Sequence, residues 1–255
     1  MTVLLALPAY NEEEGLPLLL ESFRAEMERC GYAARAVIVD DGSEDGTREV
    51  IGEWSARLPI ELVRHATNRG LGETIRDALR RAGELAGPDD VIVTMDADNT
   101  HSPALIPQML ERIGRGSDVV IASRYRRGSR VVGLSAFRHL MCYGARALFQ
   151  ITLPIRGVRD YTCGFRAYRA GVIREGFEQF GDSLVTERSF ACMAEILLKL
   201  SRMRLSFAEV PMVLRYDRKH GASKMNVRHT VFKTLGLMVQ LRIAGKQPVS
   251  KAASR

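Results

Sequence analysis

The chain has 255 residues, 46% of them hydrophobic and 26% charged, with a formal net charge of +7 at pH 7. This is an ordinary globular composition, long enough to bury a sizeable core as one large domain or two small ones. No stretch approaches the roughly 20 consecutive apolar residues of a transmembrane helix, which argues against a spanning segment. The opening MTVLLALPAYNEEE has no basic segment ahead of its short apolar run, so it does not read as a signal peptide, and a cytoplasmic location is expected. Cys30, Cys142, Cys163 and Cys192 are scattered without a C-x-x-C pair. They read as reduced, mostly buried thiols rather than a zinc site or a disulfide framework.

Strand-like apolar runs occur at Val3–Leu7, Ala36–Asp40, Ile60–Val63, Val91–Met95 and Val119–Ala122. Between them lie helical patterns near Leu16–Cys30, Thr47–Arg57, Thr74–Leu85 and Pro103–Ile113. This alternation predicts an α/β fold with an open, mainly parallel central sheet and helices on both faces. Ligands of such sheets bind at the carboxyl ends of the strands. The second half is less regular. A mostly apolar helix is expected over Leu134–Ile151, interrupted by Arg138, His139 and Arg146. A helix around Glu187–Leu200, a strand near Leu205–Val213 and a polar loop over Arg215–Lys224 follow. An amphipathic helix is expected from about Met225 to Ile243, and the tail 246–255 reads as disordered.

Acids are frequent in the first hundred residues, whereas Arg124–Arg169 and Arg202–Lys233 are dense in Arg and Lys. That asymmetry predicts an anionic partner for the second half. No helix-turn-helix, RNP-like or zinc-finger pattern is present, so nucleic acid is not expected. Phosphates on a small substrate, or an anionic membrane surface, fit the charge.

The chemistry is densest in VIVTMDADN. Val91–Met95 reads as a buried strand, and Asp96 and Asp98 leave its carboxyl end on the same side. Adjacent carboxylates repel unless a cation sits at them, and hard oxygen ligands suit Mg²⁺ or Mn²⁺ carrying substrate phosphates. The plainer reading is a pair of surface acids capping the next helix. Three other strand ends are also polar: Pro8-Ala9-Tyr10-Asn11-Glu12, Asp40-Asp41-Gly42-Ser43 and Ser123-Arg124-Tyr125. Taken singly, each reads as a turn or cap; Ser43 and Asp45 suit the start of the helix near Thr47. Four such segments on one sheet edge read as a site.

Together with Asn68, Gly70-Leu71-Gly72, Asp160, Gly164-Phe165-Arg166, Glu209-Val210-Pro211, Asp217-Arg218, Gly221, Ser223 and Lys224, these motifs form an ordered set from about Val3 to Leu241. The set resembles family 2 glycosyltransferases of the dolichyl- or polyprenyl-phosphate mannose synthase group. The resemblance implies the GT-A nucleotide-diphospho-sugar transferase fold and an inverting transfer. It implies one domain over 1–245, with a nucleotide-sugar half (1–125) and an acceptor and membrane-interface half (126–245) whose amphipathic C-terminal helices lie at the membrane. By position, Pro8, Tyr10, Glu12, Val39 and Asp41 hold the nucleoside, and Asp96 and Ala97 touch the nucleotide. Asp98 ligates the metal, with Asp96 and Thr100 as further oxygen donors. Arg124, Arg218 and Lys224 contact phosphates. The loop Tyr216–Lys224 is placed to close over them and exclude water, which would hydrolyse the sugar nucleotide.

A hydroxyl acceptor needs a general base, whereas a lipid monophosphate is already ionised and needs cations to position it. Arg124 and Arg138 suit that phosphate, because guanidinium donates paired bonds to phosphate oxygens. The helix over Leu134–Ile151 then rests on the membrane surface, or else it is core with Arg138 reaching solvent. Asp160 is the base if the acceptor is a hydroxyl; otherwise it orients Arg166 or Arg138. Asn99-Thr100 and Cys163 depart from the residues usual in the family. The leading expectation is therefore a metal-dependent hexosyltransferase moving mannose from GDP-mannose to polyprenyl or dolichyl phosphate, peripheral on the cytoplasmic face of the membrane. It binds there directly or through an anchoring partner subunit. Alternatives are another donor such as UDP-glucose, a hydroxyl acceptor, or a non-catalytic sugar-nucleotide-binding subunit.

Overall fold

The structure, a computed structural model, describes residues 1–98, 100–133 and 136–215, without the side chains of 136–140. Five parallel strands follow the expected runs: β1 (Thr2–Ala9), β2 (Ala33–Asp40), β3 (Ile60–Arg64), β4 (Val91–Thr94) and β5 (Val119–Ser123). The connecting helices are α1 (Gly15–Arg29), α2 (Thr47–Trp54), α3 (Leu71–Leu85) and α4 (Ile106–Gly114), the last preceded by a 3₁₀ turn at Pro103–Leu105. Continuous apolar runs on β1, β2, β4 and β5 are buried, as strands covered on both faces must be. On α3, Ile75, Ala78, Leu79 and Ala82 recur at helical spacing and form the buried stripe.

The second half contains β6 (Arg130–Val132), α5 (Ala136–Thr152), β7 (Arg166–Arg169), α6 (Ala170–Phe180), a 3₁₀ turn at Gly181–Leu184, α7 (Cys192–Leu200), β8 (Phe207–Pro211) and β9 (Val213–Arg215). The main sheet has seven strands in the order β3-β2-β1-β4-β7-β5-β8, and β6 pairs separately with β9. All pairings in the main sheet are parallel except those of β7, which runs antiparallel between β4 and β5. The amino end of β7 therefore lies at the carboxyl ends of its neighbours: Arg166 pairs with both Thr94 and Ile121.

Several expectations are corrected. The expected helix over Glu187–Leu200 begins only at Cys192. The Glu195 carboxylate accepts the amides of Thr186 and Glu187, each at 2.8 Å, and holds that stretch as a loop. The strand near Leu205–Val213 is two strands. Met212 interrupts it by donating its amide to Ser123 O and accepting that of Arg130. β6, β7 and α6 were not expected at all. The loop 216–224, the amphipathic helix over Met225–Ile243 and the tail 246–255 lie outside the described residues.

Candidate active site

The ends of β1 and β2 are stitched together by short side chains. Ser43 Oγ accepts the Asn11 amide at 3.0 Å, and Asn11 Oδ1 accepts the Glu44 amide at 2.9 Å. Thr47 Oγ1 accepts the Glu12 amide at 2.8 Å. Asn11 takes φ +52, the left-handed region that Asn tolerates best among residues other than glycine. Asp41 is buried and fully engaged: Oδ1 accepts the Arg69 amide, Oδ2 accepts the Gly70 amide, both at 2.9 Å, and His65 Nδ1 stands 2.6 Å from Oδ1. Nε2 of the same buried imidazole lies 3.0 Å from Asp77. Asp41 thus shapes the turn entering α3. Gly72 is required there, since a Cβ would sit 1.8 Å from Glu187 O.

β4 ends at Thr94, and Asp96 to Asp98 form the loop beyond it. Asp98 Oδ1 accepts both the hydroxyl of Thr100, at 2.7 Å, and its amide, at 3.2 Å. Thr100 is buried, and its hydroxyl and amide together fix the carboxylate. His101 supports Asp96 from below: Nδ1 accepts the Asp96 amide at 3.3 Å, and the ring packs on Phe165 with centroids 5.3 Å apart. Gly164 leaves the approach to Asp96 open, because a Cβ there would lie 3.3 Å from Oδ1. The amino end of α1 packs on the same loop, where a Cβ on Gly15 would meet Ala97 O at 3.1 Å. Among the described residues no group of three or more His, Cys, Asp or Glu is arranged so that it could hold a metal ion by itself. Two partly exposed carboxylates fit a hard divalent cation that takes its remaining oxygens from phosphate and water, as Mg²⁺ does.

The third part is an ion pair between the buried Asp160 and the partly exposed Arg124. Arg124 Nε donates to Asp160 Oδ2 at 2.8 Å and Nη2 to Oδ1 at 2.6 Å, while the Arg124 amide also reaches Oδ2 at 3.0 Å. Nη2 further donates to Thr162 Oγ1 at 2.6 Å. Asp160 Oδ1 accepts the Cys163 amide at 3.1 Å. Burial alone would raise the Asp160 carboxyl, but the charge and hydrogen bonds of Arg124 outweigh it and hold it below its ordinary value. Behind the pair, Glu209 Oε1 accepts the amides of Arg159 and Asp160 at 2.6 and 2.7 Å. Burial raises the Glu209 carboxyl, with those amides opposing. Arg166 is buried elsewhere, donating to Met193 O and Tyr161 O. Asp160 therefore orients Arg124, not Arg166 as expected; the side chain of Arg138 lies outside the described residues. Burial pushes the Cys163 thiol up to about 12, which makes it inert filler in this wall.

The structure brings Pro8, Tyr10, Glu12, Asp41, Asp96, Ala97, Asp98, Arg124 and Asp160 to the carboxyl edge of one sheet. Val39 is wholly buried in β2, opposite Pro8, so its side chain belongs to the core. Arg218 and Lys224 lie outside the described residues. The chain enters that region from β9, whose Arg215 amide donates to Thr100 O at 3.3 Å and so ties it to the Asp98 loop. His65, His101, Thr162 and Glu209 were given no role by the sequence reading. Glu209 belongs to the Glu209-Val210-Pro211 motif; the others carry no local pattern, because their partners lie 5 to 38 residues away.

The family model for glycosyl transferase family 2 matches residues 5–177. The chain is 35% identical over 236 residues to a dolichol-phosphate mannosyltransferase of Pyrococcus furiosus, covering 92% of this chain but 62% of that one. It is 31% identical over 242 residues to a polyprenol monophosphomannose synthase of Mycolicibacterium smegmatis, covering 90% and 84%. Among solved structures, glucosyl-3-phosphoglycerate synthase from Mycobacterium tuberculosis, bound to Mn²⁺, uridine diphosphate and phosphoglyceric acid, aligns with a TM-score of 0.66 at 17% identity. That alignment covers 98% of this chain and 80% of that one, and it shows a shared GT-A-like fold.

Proposed function

The chain belongs to glycosyl transferase family 2 and is a glycosyltransferase; from that premise we propose that it transfers mannose from GDP-mannose to a polyprenyl or dolichyl phosphate. The observation that carries the acceptor class is the Arg124–Asp160 pair. A buried carboxyl held low by a partly exposed guanidinium makes a poor version of the general base that a hydroxyl acceptor would require, yet it fixes a cation where an anionic acceptor needs one. The relatives named as dolichol-phosphate and polyprenol mannose enzymes support the same reading.

In this reading an acceptor phosphate oxygen attacks the anomeric carbon while the bond to the nucleoside diphosphate breaks on the opposite face, which inverts the centre. The bonding pair leaves on the diphosphate. Asp98 and Asp96 would hold Mg²⁺ or Mn²⁺, which supplies charge neutralisation to the departing diphosphate. Thr100 holds the Asp98 carboxylate in place, and His101 accepts the backbone amide of Asp96. Pro8, Tyr10 and Glu12 line the nucleoside side, with Asp41 fixing its wall through the Arg69 and Gly70 amides. Arg124 positions the acceptor phosphate with Arg138, since guanidinium donates paired bonds to phosphate oxygens, and Arg218 and Lys224 are assigned to phosphates by their place in the motifs.

Among the described residues no helix is long and apolar enough to cross a membrane. On α5, Ile151 is 80% and Tyr143 52% exposed, and Val132 and Val213 are exposed on the small sheet. Such side chains suit peripheral seating on the cytoplasmic face. The test is incubation of the pure chain with labelled GDP-mannose, Mg²⁺ and polyprenyl phosphate. A chloroform-soluble, acid-labile product is expected, and its absence with every sugar nucleotide tried would overturn the reading.

A further inference from the structure

Next to the Arg124–Asp160 pair lies a cavity of about 390 Å³ lined by Arg112, Arg126, Arg127, Arg159, Glu209 and Pro211. None of Asp98, Arg124 or Asp160 lines it. Arg112 comes from the last turn of α4, Arg126 and Arg127 from the turn after β5, and Arg159 from the residue before Asp160. Glu209 and Pro211 belong to β8, with Pro211 level with Ser123. The turn carrying Arg126 and Arg127 is firmly built. Ser129 donates its amide to Arg126 O and its hydroxyl to Ser123 O at 2.7 Å. Gly128, at φ +96, lets that turn lie against Pro211.

The cavity is lined by four arginines, of which Arg112, Arg127 and Arg159 are exposed, and by one carboxylate. Among the described residues Arg112, Arg127 and Arg159 form no ion pair, and Arg126 only approaches Glu209 Oε2, at 4.0 Å. Glu209 Oε1 is committed to the Arg159 and Asp160 amides. Oε2 is buried and makes no hydrogen bond of normal geometry among the described residues, although the Ser123 hydroxyl also faces the carboxylate. Clustered like charges repel, and a compact polyvalent anion relieves them. Guanidinium forks match phosphate oxygens. A phosphate carrying one proton satisfies both features, offering acceptor oxygens to the arginines and an O–H to Glu209.

We propose that this cavity is a second phosphate site, selective for a phosphomonoester and separate from the transfer site at Arg124. The ligand is soluble or lipid-borne, and two probes distinguish these sources. The first is calorimetric titration of the full chain with inorganic phosphate, without divalent cation. Arg112→Gln/Arg159→Gln is expected to weaken binding at least tenfold, with an unchanged melting temperature. Arg127→Gln, at an exposed side chain with no ion pair among the described residues, serves if the double variant misfolds and should weaken binding several-fold. Sulfate, which has no proton to offer at neutral pH, should bind at least tenfold more weakly than phosphate.

The second probe is co-sedimentation with phosphatidylcholine vesicles containing phosphatidic acid. Parallel loss of phosphate and vesicle binding in the variants identifies a lipid-borne monoester. Loss of phosphate binding alone identifies a soluble one. Phosphate binding within twofold of wild type in these variants overturns the site, and equal affinity for sulfate overturns its selectivity. Neither readout depends on mannosyl transfer.

Discussion

The edge formed by β1, β2 and β4 and the cluster around Arg124 are held in place by different forces. On the first, carboxylates and hydroxyls rest on backbone amides, as Asp41 does on Arg69 and Gly70, Ser43 on Asn11, and Asp98 on Thr100. Those contacts shape loops around a space that stays partly open, and each is neutral on one side; the edge also holds an ion pair, buried Asp40 with Arg48 at 2.6 Å. The second is a chain of largely buried charges, in which Arg124 holds Asp160 and Glu209 holds the amide of Asp160. Losing one partner there strands another charge away from water, so this part tolerates far less. The first region is built to receive charge from a ligand; the second keeps its own charge fixed before any ligand arrives.

Substitutions can break that comparison. Asp98→Ala is expected to cut turnover on the order of 10³-fold, because it removes the carboxylate assigned to stabilise the departing charge. Asp96→Glu should retain more activity, and equal residual rates in the two variants would move the metal assignment elsewhere.

Asp160→Asn should instead destabilise the fold by up to about 3 kcal/mol by denaturant titration, since it leaves the largely covered Arg124 without its counter-charge. Replacing both partners by Leu is expected to recover much of that loss without recovering transfer. The pH dependence sharpens the point. A carboxyl held below its ordinary value of 3.8 contributes stability that is fully present above that value and is lost as pH falls through the folded-state value. The gap between wild type and Asp160→Asn should therefore stay constant from pH 7 to pH 5 and close only in stronger acid. An acid limb near neutral pH in kcat/KM that vanishes in Asp160→Asn would restore the general-base role.

Smaller effects test the supports. Gly72→Ala pushes a methyl into Glu187 O and should cost about 1–3 kcal/mol. Thr100→Val removes the hydroxyl that holds Asp98, and Mn²⁺ affinity measured by calorimetry should fall about tenfold.

The same contrast explains what could be read from the sequence. Strands such as Val91–Thr94 announce themselves as buried apolar runs, and the polar residues following them fall on one edge because parallel strands point one way. β7 could not be read so, because Arg-Ala-Tyr-Arg has no apolar period, and its Arg166 is buried only because Met193 and Tyr161 offer carbonyls. Without β7, the approach of Asp160 to Arg124 across 36 residues has no visible cause. Thr100 was legible as a residue but not in its role, since donation to Asp98 depends on how the loop beyond β4 turns.

The position of β7 also bears on how the molecule opens. It pairs on one side with β4, which leads into Asp96 and Asp98, and on the other with β5, which leads into Arg124. No edge of it faces solvent, so freeing its amides means separating both neighbours at once. Amide hydrogens of Ala167 and Tyr168 should therefore exchange only at the rate set by global unfolding, in contrast to those of the β6–β9 ribbon. The two halves of the site would then rise and fall in a single cooperative transition.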